Sequence, residues 1–165
     1  MNKTAALFAL LSLIAAMAPG FQVQLTNTGN IIESLDIVYM QPSEVTFDWG
    51  TLEPGEGRDI FHEKVALLTA NQQIPVTATL NVESAIHFNV IGIWIQVGPE
   101  HYFLDKTTSS YTWTIPAGVH SVYYDCTMYA NTDITDICSG EVITNLTYCN
   151  HIVGIVKIQY TIISP

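Results

Sequence analysis

The sequence predicts an all-β protein, an immunoglobulin-like or jelly-roll-like β-sandwich of about 8–10 strands that follows an N-terminal signal segment. Three observations predict this fold. After residue 20, apolar and polar residues alternate with a period of two in segment after segment, which is typical of strands with one buried and one solvated face. Turns rich in Gly, Pro and Asn separate these segments. No segment after residue 20 has the period of an amphipathic helix.

The alternation predicts a series of short strands within one domain, residues 21–165. In the clearest of them, Ile74, Val76 and Ala78 alternate with smaller or polar residues. The predicted strands are residues 21–27, 34–40, 44–48, 60–70, 74–82, 88–97, 111–115, 119–130 and 156–162. Residues 130–150 are polar and irregular, and they are predicted to form a long loop excursion.

Residues 1–20 are predicted to be a signal peptide that is removed on export. Lys3 supplies a positive start, and residues 5–18 are apolar with one exception. This run is shorter than the roughly 20 residues of a membrane-spanning helix, and residues 16–18 have the small-x-small pattern of a cleavage site. We therefore expect an extracellular or cell-surface location and no membrane span in the mature chain. The alternative is a type IV pilin-like subunit that retains residues 1–18 as the core helix of a filament.

Composition argues against several classes of function. The formal net charge of −10, with only 12% charged residues, is unsuited to a nucleic-acid partner, because the phosphate backbone would be repelled. The sequence contains no nucleophile elbow, no zinc-binding helix motif and no glycine-rich phosphate loop. We therefore expect no enzymatic activity, and the sequence predicts no catalytic residue, metal site or cofactor.

Two kinds of covalent modification are suggested by the sequence. Cys126, Cys138 and Cys149 are close together in an exported chain, which predicts one disulfide and one remaining thiol without indicating which two pair. Cys126 shares a strand face with apolar neighbours and is expected to point inward. Asn145 begins an Asn-Leu-Thr acceptor sequence, a possible site for a glycan where the organism glycosylates exported proteins.

The predicted strand at residues 88–97 is apolar on both faces. Phe88, Val90 and Trp94 share one face, and the other face is wholly aliphatic. One explanation is a central strand that an inserted loop covers; the other is that a neighbouring subunit covers the second face, because an exposed apolar stripe invites aggregation. The possible subunit-facing residues are Ile91, Ile93, Ile95 and Val97.

One segment resembles a known group of proteins. Residues 48–56, Asp-Trp-Gly-Thr-Leu-Glu-Pro-Gly-Glu, are its most specific part, and residues 29–82 follow the same order of elements. This region resembles secreted archaeal β-sandwich domains related to TasA-type biofilm fibre proteins, archaeal bundling pilins and archaeal threads. Residues 71–73 and 130–150 depart from that pattern.

The resemblance implies a structural subunit of an extracellular filament, such as a pilus, thread or biofilm-matrix fibre. Such subunits form a homopolymer of head-to-tail copies, in which an N-terminal strand enters the next copy by donor-strand exchange. Here the candidate donor strand carries Phe21, Val23 and Leu25, whose burial would contribute on the order of 5–8 kcal/mol. One alternative is that this strand folds back into its own domain. Another is a monomeric secreted or cell-surface β-sandwich that binds a carbohydrate or a protein.

Overall fold

A computed structural model describes residues 22–28 and 31–165, with side chains from residue 36 onward. The predicted signal peptide and Phe21 lie outside the described residues. Within the described part, no helix has the length and apolar character to span a membrane. The strands are β1 (Gln22–Thr28), β2 (Ile31–Gln41), β3 (Glu44–Leu52), β4 (Gly57–Ala70), β5 (Ile74–Leu80), β6 (Phe88–Val97), β7 (Glu100–Leu104), β8 (Ser110–Ile115), β9 (Gly118–Ala130), β10 (Cys138–Tyr148) and β11 (His151–Ile162).

The strands form two sheets that pack face to face, and the predicted all-β sandwich is confirmed. The first sheet has the order β1-β2-β4-β9-β6-β7, and the second has the order β3-β11-β10-β5-β8. Neighbouring strands are antiparallel except for β3 and β11, which are parallel. A 3-10 turn, Val82–Ala85, follows β5, and the Asn81 side chain caps it by accepting from two backbone N–H groups.

The core lies between the two sheets and is rich in aromatic rings. Phe88 meets Tyr160 edge to face at 4.7 Å between ring centroids, and it meets Trp49 at 6.3 Å. Tyr124 is fully buried, and its hydroxyl lies 3.0 Å from the Thr144 hydroxyl. Burial raises the pKa of Tyr124, so this phenol stays protonated and is available to the hydrogen bond.

The prediction of a loop over residues 130–150 is wrong for most of that range. Residues 138–148 form β10, which pairs with β11 along its whole length. Cys149 and Asn150, both with positive φ, make the turn between the two strands. Thr144 concealed the alternation, because this polar residue occupies an inward position and is satisfied there by Tyr124.

The prediction of a subunit-facing stripe on β6 is also wrong. Ile91, Ile93, Ile95 and Val97 are buried against the second sheet of the same chain. The cause is the position of β6 between β9 and β7, which turns this face toward the core. A register shift after residue 88 accompanies the inward position of Phe88, so the exposed apolar side chains of β6 come from the opposite face.

The three cysteines are free thiols, so the structure does not contain the predicted disulfide. Cys126 is buried as expected, on the inward face of β9. Cys138 and Cys149 flank β10 at opposite ends, about 35 Å apart along an extended strand. A disulfide requires Cα atoms about 4.4–6.8 Å apart, so these two cysteines cannot pair within one chain.

The thiols are expected to differ sharply in reactivity. Cys149 is exposed, whereas burial excludes reagent from Cys126 and raises the pKa of its thiol. Titration with Ellman's reagent should therefore modify Cys149 first, and Cys126 only after unfolding in denaturant. A Cys149→Ser variant that still showed a fast-reacting thiol would contradict this order, unless mass spectrometry located the label on Cys138.

Candidate functional site

The first functional feature is a two-stranded projection, the N-terminal ribbon, made of residues 22–28 and 31–37. β1 pairs with β2 from Gln22 opposite Val38 to Thr28 opposite Ile31. β2 pairs with β4 through Val38–Gln41 alone, opposite the last four residues of β4. Within the described chain, the part of β2 before Val38 therefore has β1 as its ladder partner, and the ribbon continues for about 20 Å past the end of β4.

The base of the ribbon is fixed by hydrogen bonds to β10 and to the turn after β4. The Asp36 carboxylate accepts from the Tyr148 hydroxyl and from the Gln72 side-chain amide. The backbone of Ile37 bonds with Asn71 on both sides: its N–H donates to the side-chain oxygen at 2.9 Å, and its carbonyl accepts from the backbone N–H at 3.1 Å. Burial, followed by the hydrogen bond to Asp36, raises the pKa of Tyr148. The ribbon therefore leaves the sandwich from a rigid base.

Beyond this base, β1 has little to hold it. It is the edge strand of the first sheet, and β2 is the one described element with which it makes extensive contact. An isolated two-stranded hairpin is at best marginally stable in water. The backbones of Val23 and Leu25, two of the predicted donor residues, lie opposite Ile37 and Leu35 of the same chain. β1 is thus the segment that costs least to detach.

The second feature is an aromatic surface on the outer face of the first sheet. Trp94 on β6 and Phe103 on β7 lie opposite each other, with ring centroids 4.8 Å apart. Gly92 is part of the same arrangement, because a Cβ there would come within 2.9 Å of the Trp94 ring. The exposed apolar side chains around this pair are Phe61, Val90, Trp94, Phe103 and Tyr129, and Leu67 and Val119 are exposed farther along β4 and β9.

A bulge in β4 places Phe61 on this surface. The pairing of β4 with β9 shifts between Ile60 and Glu63, and His62 has a φ of 47°. The Asp125 carboxylate accepts the backbone N–H of His62, and the imidazole stacks on Tyr123 at 4.4 Å. A non-glycine residue at positive φ beside a bulge is characteristic of functional sites. Here the result is a phenyl ring that is 72% exposed.

The bulge and the aromatic pair enclose the aromatic cleft, a depression of about 360 Å³. Phe61 and Trp94 form its two sides; because β9 separates their strands, these strands lie about 10 Å apart. Asp125 and Thr127 supply polar atoms between them. The aromatic cleft is lined by Ile60, Phe61, Trp94, His101, Asp125, Cys126 and Thr127.

The outer face of the second sheet is polar by comparison. A shallow depression of about 500 Å³ lies over β3, β11 and β10, among side chains such as Asp48 and Gln159. Lys157 bridges Glu44 at 2.8 Å and Glu141 at 3.7 Å across the same strands. Asn145 is half-buried on β10, and its glycosylation stays a prediction. No group of three or more metal-ligating side chains occurs among residues 22–28 and 31–165.

Sequence analysis placed Val90 and Trp94 on one face of their strand, but it considered the opposite face to be the one open to a neighbouring subunit, and it did not predict the aromatic cleft. Phe103 and His101 lie on β7, a strand of five residues that was not predicted. Phe61 was placed within a regular strand, and nothing in the sequence marks the bulge that turns it outward. The signal that could have been used is Gly92, a small residue two positions before an exposed tryptophan.

No protein-family model matches the sequence, and no curated protein matches it. Solved structures show low similarity. The receptor-binding domain of the adhesin MrkD1P of Klebsiella pneumoniae is 12% identical, with 79% of this chain and 96% of that chain covered and a TM-score of 0.44. The CupB6 tip adhesin from Pseudomonas aeruginosa is 12% identical, with 72% of this chain covered and a TM-score of 0.40. This chain spans 41% of the length of that adhesin. The N-terminal domain of PorA is 11% identical, with 76% of this chain and 96% of that chain covered and a TM-score of 0.39.

Proposed function

We propose that this protein is a structural subunit of an extracellular filament, in which β1 of each copy pairs with β2 of the next. The observation that carries the proposal is the N-terminal ribbon. It joins the sandwich through four residue pairs between β2 and β4, and β1 lies beyond that junction at the edge of the sheet. The filament is a homopolymer of head-to-tail copies at the cell surface or outside the cell.

Exchange of β1 costs little because the same contacts are made in either arrangement. When β1 leaves its own β2 and enters that of a neighbour, each ladder pair from Gln22↔Val38 to Thr28↔Ile31 is lost once and regained once. Two residues connect the strands, and so short a connection favours opening into a continuous extended segment, as in domain swapping. A head-to-tail contact of this kind does not close on itself, so repetition produces a fibre.

The resemblance of residues 48–56 to archaeal fibre subunits supports the same assembly. In the structure this stretch covers the second half of β3 and the turn that leads into β4. Asp48 accepts from the backbone N–H of Gly50, and Glu56 accepts from the backbone N–H of Glu53. These bonds stabilise the connection between the two sheets, so the motif contributes to the scaffold that carries the ribbon.

A cross-linking experiment tests the exchange directly. Leu25→Cys and Leu35→Cys place two thiols on directly opposed residues of β1 and β2, in a background where Cys138 and Cys149 are serine. Under mild oxidation of assembled material, we expect a ladder of covalent oligomers on a non-reducing gel, because the opposed residue belongs to the next copy. The matched control combines Val23→Cys with Leu35→Cys, which are two positions out of register and should cross-link poorly.

Three outcomes would contradict the proposal. Quantitative cross-linking within a monomer would mean that β1 remains with its own β2. Filaments formed by a chain lacking residues 21–28 would show that another surface drives assembly. A protein that stays monomeric at high concentration would instead favour a monomeric binding module. Mass spectrometry of the filament separates the pilin-like alternative, since retention of residues 1–18 would identify a core helix.

A further inference from the structure

We infer that the aromatic cleft is a binding site for an uncharged carbohydrate, one or two pyranose rings in size. The inference does not depend on strand exchange, because none of the residues that line the cleft belongs to the N-terminal ribbon. A volume of about 360 Å³ falls at the lower end of the roughly 300–1,000 Å³ found for small-molecule sites. It is too small for a folded partner and suits a terminal sugar unit.

Trp94 supplies the stacking surface that a sugar ring requires. Its indole is 40% exposed, although it is fixed from below by Gly92 and from the side by Phe103. A ring held in this way loses little conformational freedom when a ligand covers it. The apolar C–H face of a pyranose packs against such a surface, and Phe61 offers a second one across the cleft.

Hydrogen-bonding groups between the two rings match the hydroxyls of a sugar. One oxygen of Asp125 accepts the His62 N–H, while the other lies 3.9 Å from the imidazole nitrogen and can accept a further hydrogen bond. The Thr127 hydroxyl donates to Asp59 at 2.7 Å, which leaves its lone pairs free to accept. A sugar ring has apolar C–H faces and hydroxyl groups at its edge. A cleft that combines apolar rings with hydrogen-bonding groups therefore matches both parts of the ring.

A peptide is a poorer fit for this position. Peptides that bind to sheets usually add a strand to an exposed edge and pair with its backbone. The floor of the cleft is β9, an interior strand of the first sheet, whose Cys126 and Thr127 have ladder partners on β4 at one side and on β6 at the other. An extended chain would therefore find few backbone groups to satisfy its own N–H and C=O groups.

Charge restricts the ligand to neutral sugars. Asp125 lines the cleft and Asp59 is bonded to its Thr127. No Lys or Arg is among the described residues that line it. In a chain with a formal net charge of −10, a sialylated or sulfated glycan would be repelled.

The inference is tested with cellobiose, maltose, lactose and diacetylchitobiose as neutral probes, and with sialyllactose and a heparin disaccharide as anionic ones. Binding to the full-length protein is followed by tryptophan fluorescence and by saturation-transfer NMR. We expect at least one neutral disaccharide to bind, and we expect Trp94→Ala or Asp125→Asn to raise its dissociation constant about tenfold or more. Val119→Ala, which removes an exposed apolar side chain elsewhere on β9, should leave the constant unchanged.

Gly92→Ala provides a second variant that keeps every lining side chain. The added methyl group would meet the Trp94 ring, so the ring must move and binding should weaken while the fold is retained. The inference is overturned if no neutral probe binds at millimolar concentration, if anionic probes are preferred, or if Trp94→Ala leaves binding intact. It is also overturned if Trp94→Ala changes self-association but not sugar binding, which would identify the surface as a contact between copies.

Discussion

Phe88→Ala is expected to lower the free energy of unfolding by about 3–5 kcal/mol, the usual cost of removing a buried phenyl ring. Phe88 is fully buried and packs edge to face against both Tyr160 and Trp49. Its removal would leave a cavity where the two sheets meet, and two aromatic partners would lose a favourable ring contact. Since small domains are stable by only about 5–15 kcal/mol in total, the variant should lose a fifth or more of its stability.

Urea denaturation followed by circular dichroism measures this effect, and the chain offers a matched control. Phe61→Ala removes the same atoms from a side chain that is exposed on the bulge of β4. We expect it to change the free energy of unfolding by less than about 0.5 kcal/mol, while it weakens sugar binding. Equal losses of stability in the two variants would mean that Phe88 does not contribute to the core as described.

Asp36→Ala is expected to cost about 2–4 kcal/mol, because it leaves one buried donor and one half-buried donor without an acceptor. The Asp36 carboxylate is almost fully buried and accepts from Tyr148 and Gln72. These bonds connect β2 with β10 and with the turn after β4, so their loss also loosens the base of the N-terminal ribbon. Tyr148→Phe removes one of the two bonds and should cost less, about 1–2 kcal/mol.

Thermal unfolding of the unmodified protein, Asp36→Ala and Tyr148→Phe gives their order of stability. Asp133→Ala serves as a control on an exposed loop. If Asp36→Ala is no less stable than Asp133→Ala, the buried hydrogen bonds at the base of the ribbon are not energetically significant. If Tyr148→Phe costs as much as Asp36→Ala, the contribution of Gln72 is negligible. Either result would require a different account of how the ribbon is held.

The sequence predicted most strands because burial in them follows a period of two. β5 is the clearest example: Ile74, Val76, Ala78 and Leu80 all point into the core. The sequence could not show which face of β6 is buried, because both faces are apolar. The position of β6 within the sheet decides which face points to the core. Local pattern therefore predicted the elements, whereas burial on each face depended on contacts between distant strands.

β10 was missed for a different reason. Thr144 is a polar residue at an inward position, and the hydrogen bond that makes it tolerable comes from Tyr124 on the other sheet. Two cysteines that flank the strand also favoured interpreting the segment as a loop closed by a disulfide, although an extended β10 separates them. A partner that is distant in sequence cannot be identified from the local residue pattern.

The candidate sites divide in the same way. The N-terminal strand was predicted, because an apolar alternating segment at the start of the domain is visible in the sequence, and its donation to another copy stays a prediction. The aromatic cleft was not, because it depends on an irregularity in β4 and on side chains from four strands of one sheet. The exposure of Trp94 and the identity of its partners became apparent only in three dimensions.

The parallel pairing of β3 with β11 has a consequence for the order in which the chain can acquire its structure. β3 has β11 as its ladder partner in the described chain, and Glu44 lies opposite Ile155. As the polypeptide emerges from a ribosome or a translocation channel, β3 must wait for nearly all the following residues to be delivered. Contacts so distant in sequence slow folding, so the second sheet stays incomplete, with β3 unpaired, until the last strand appears.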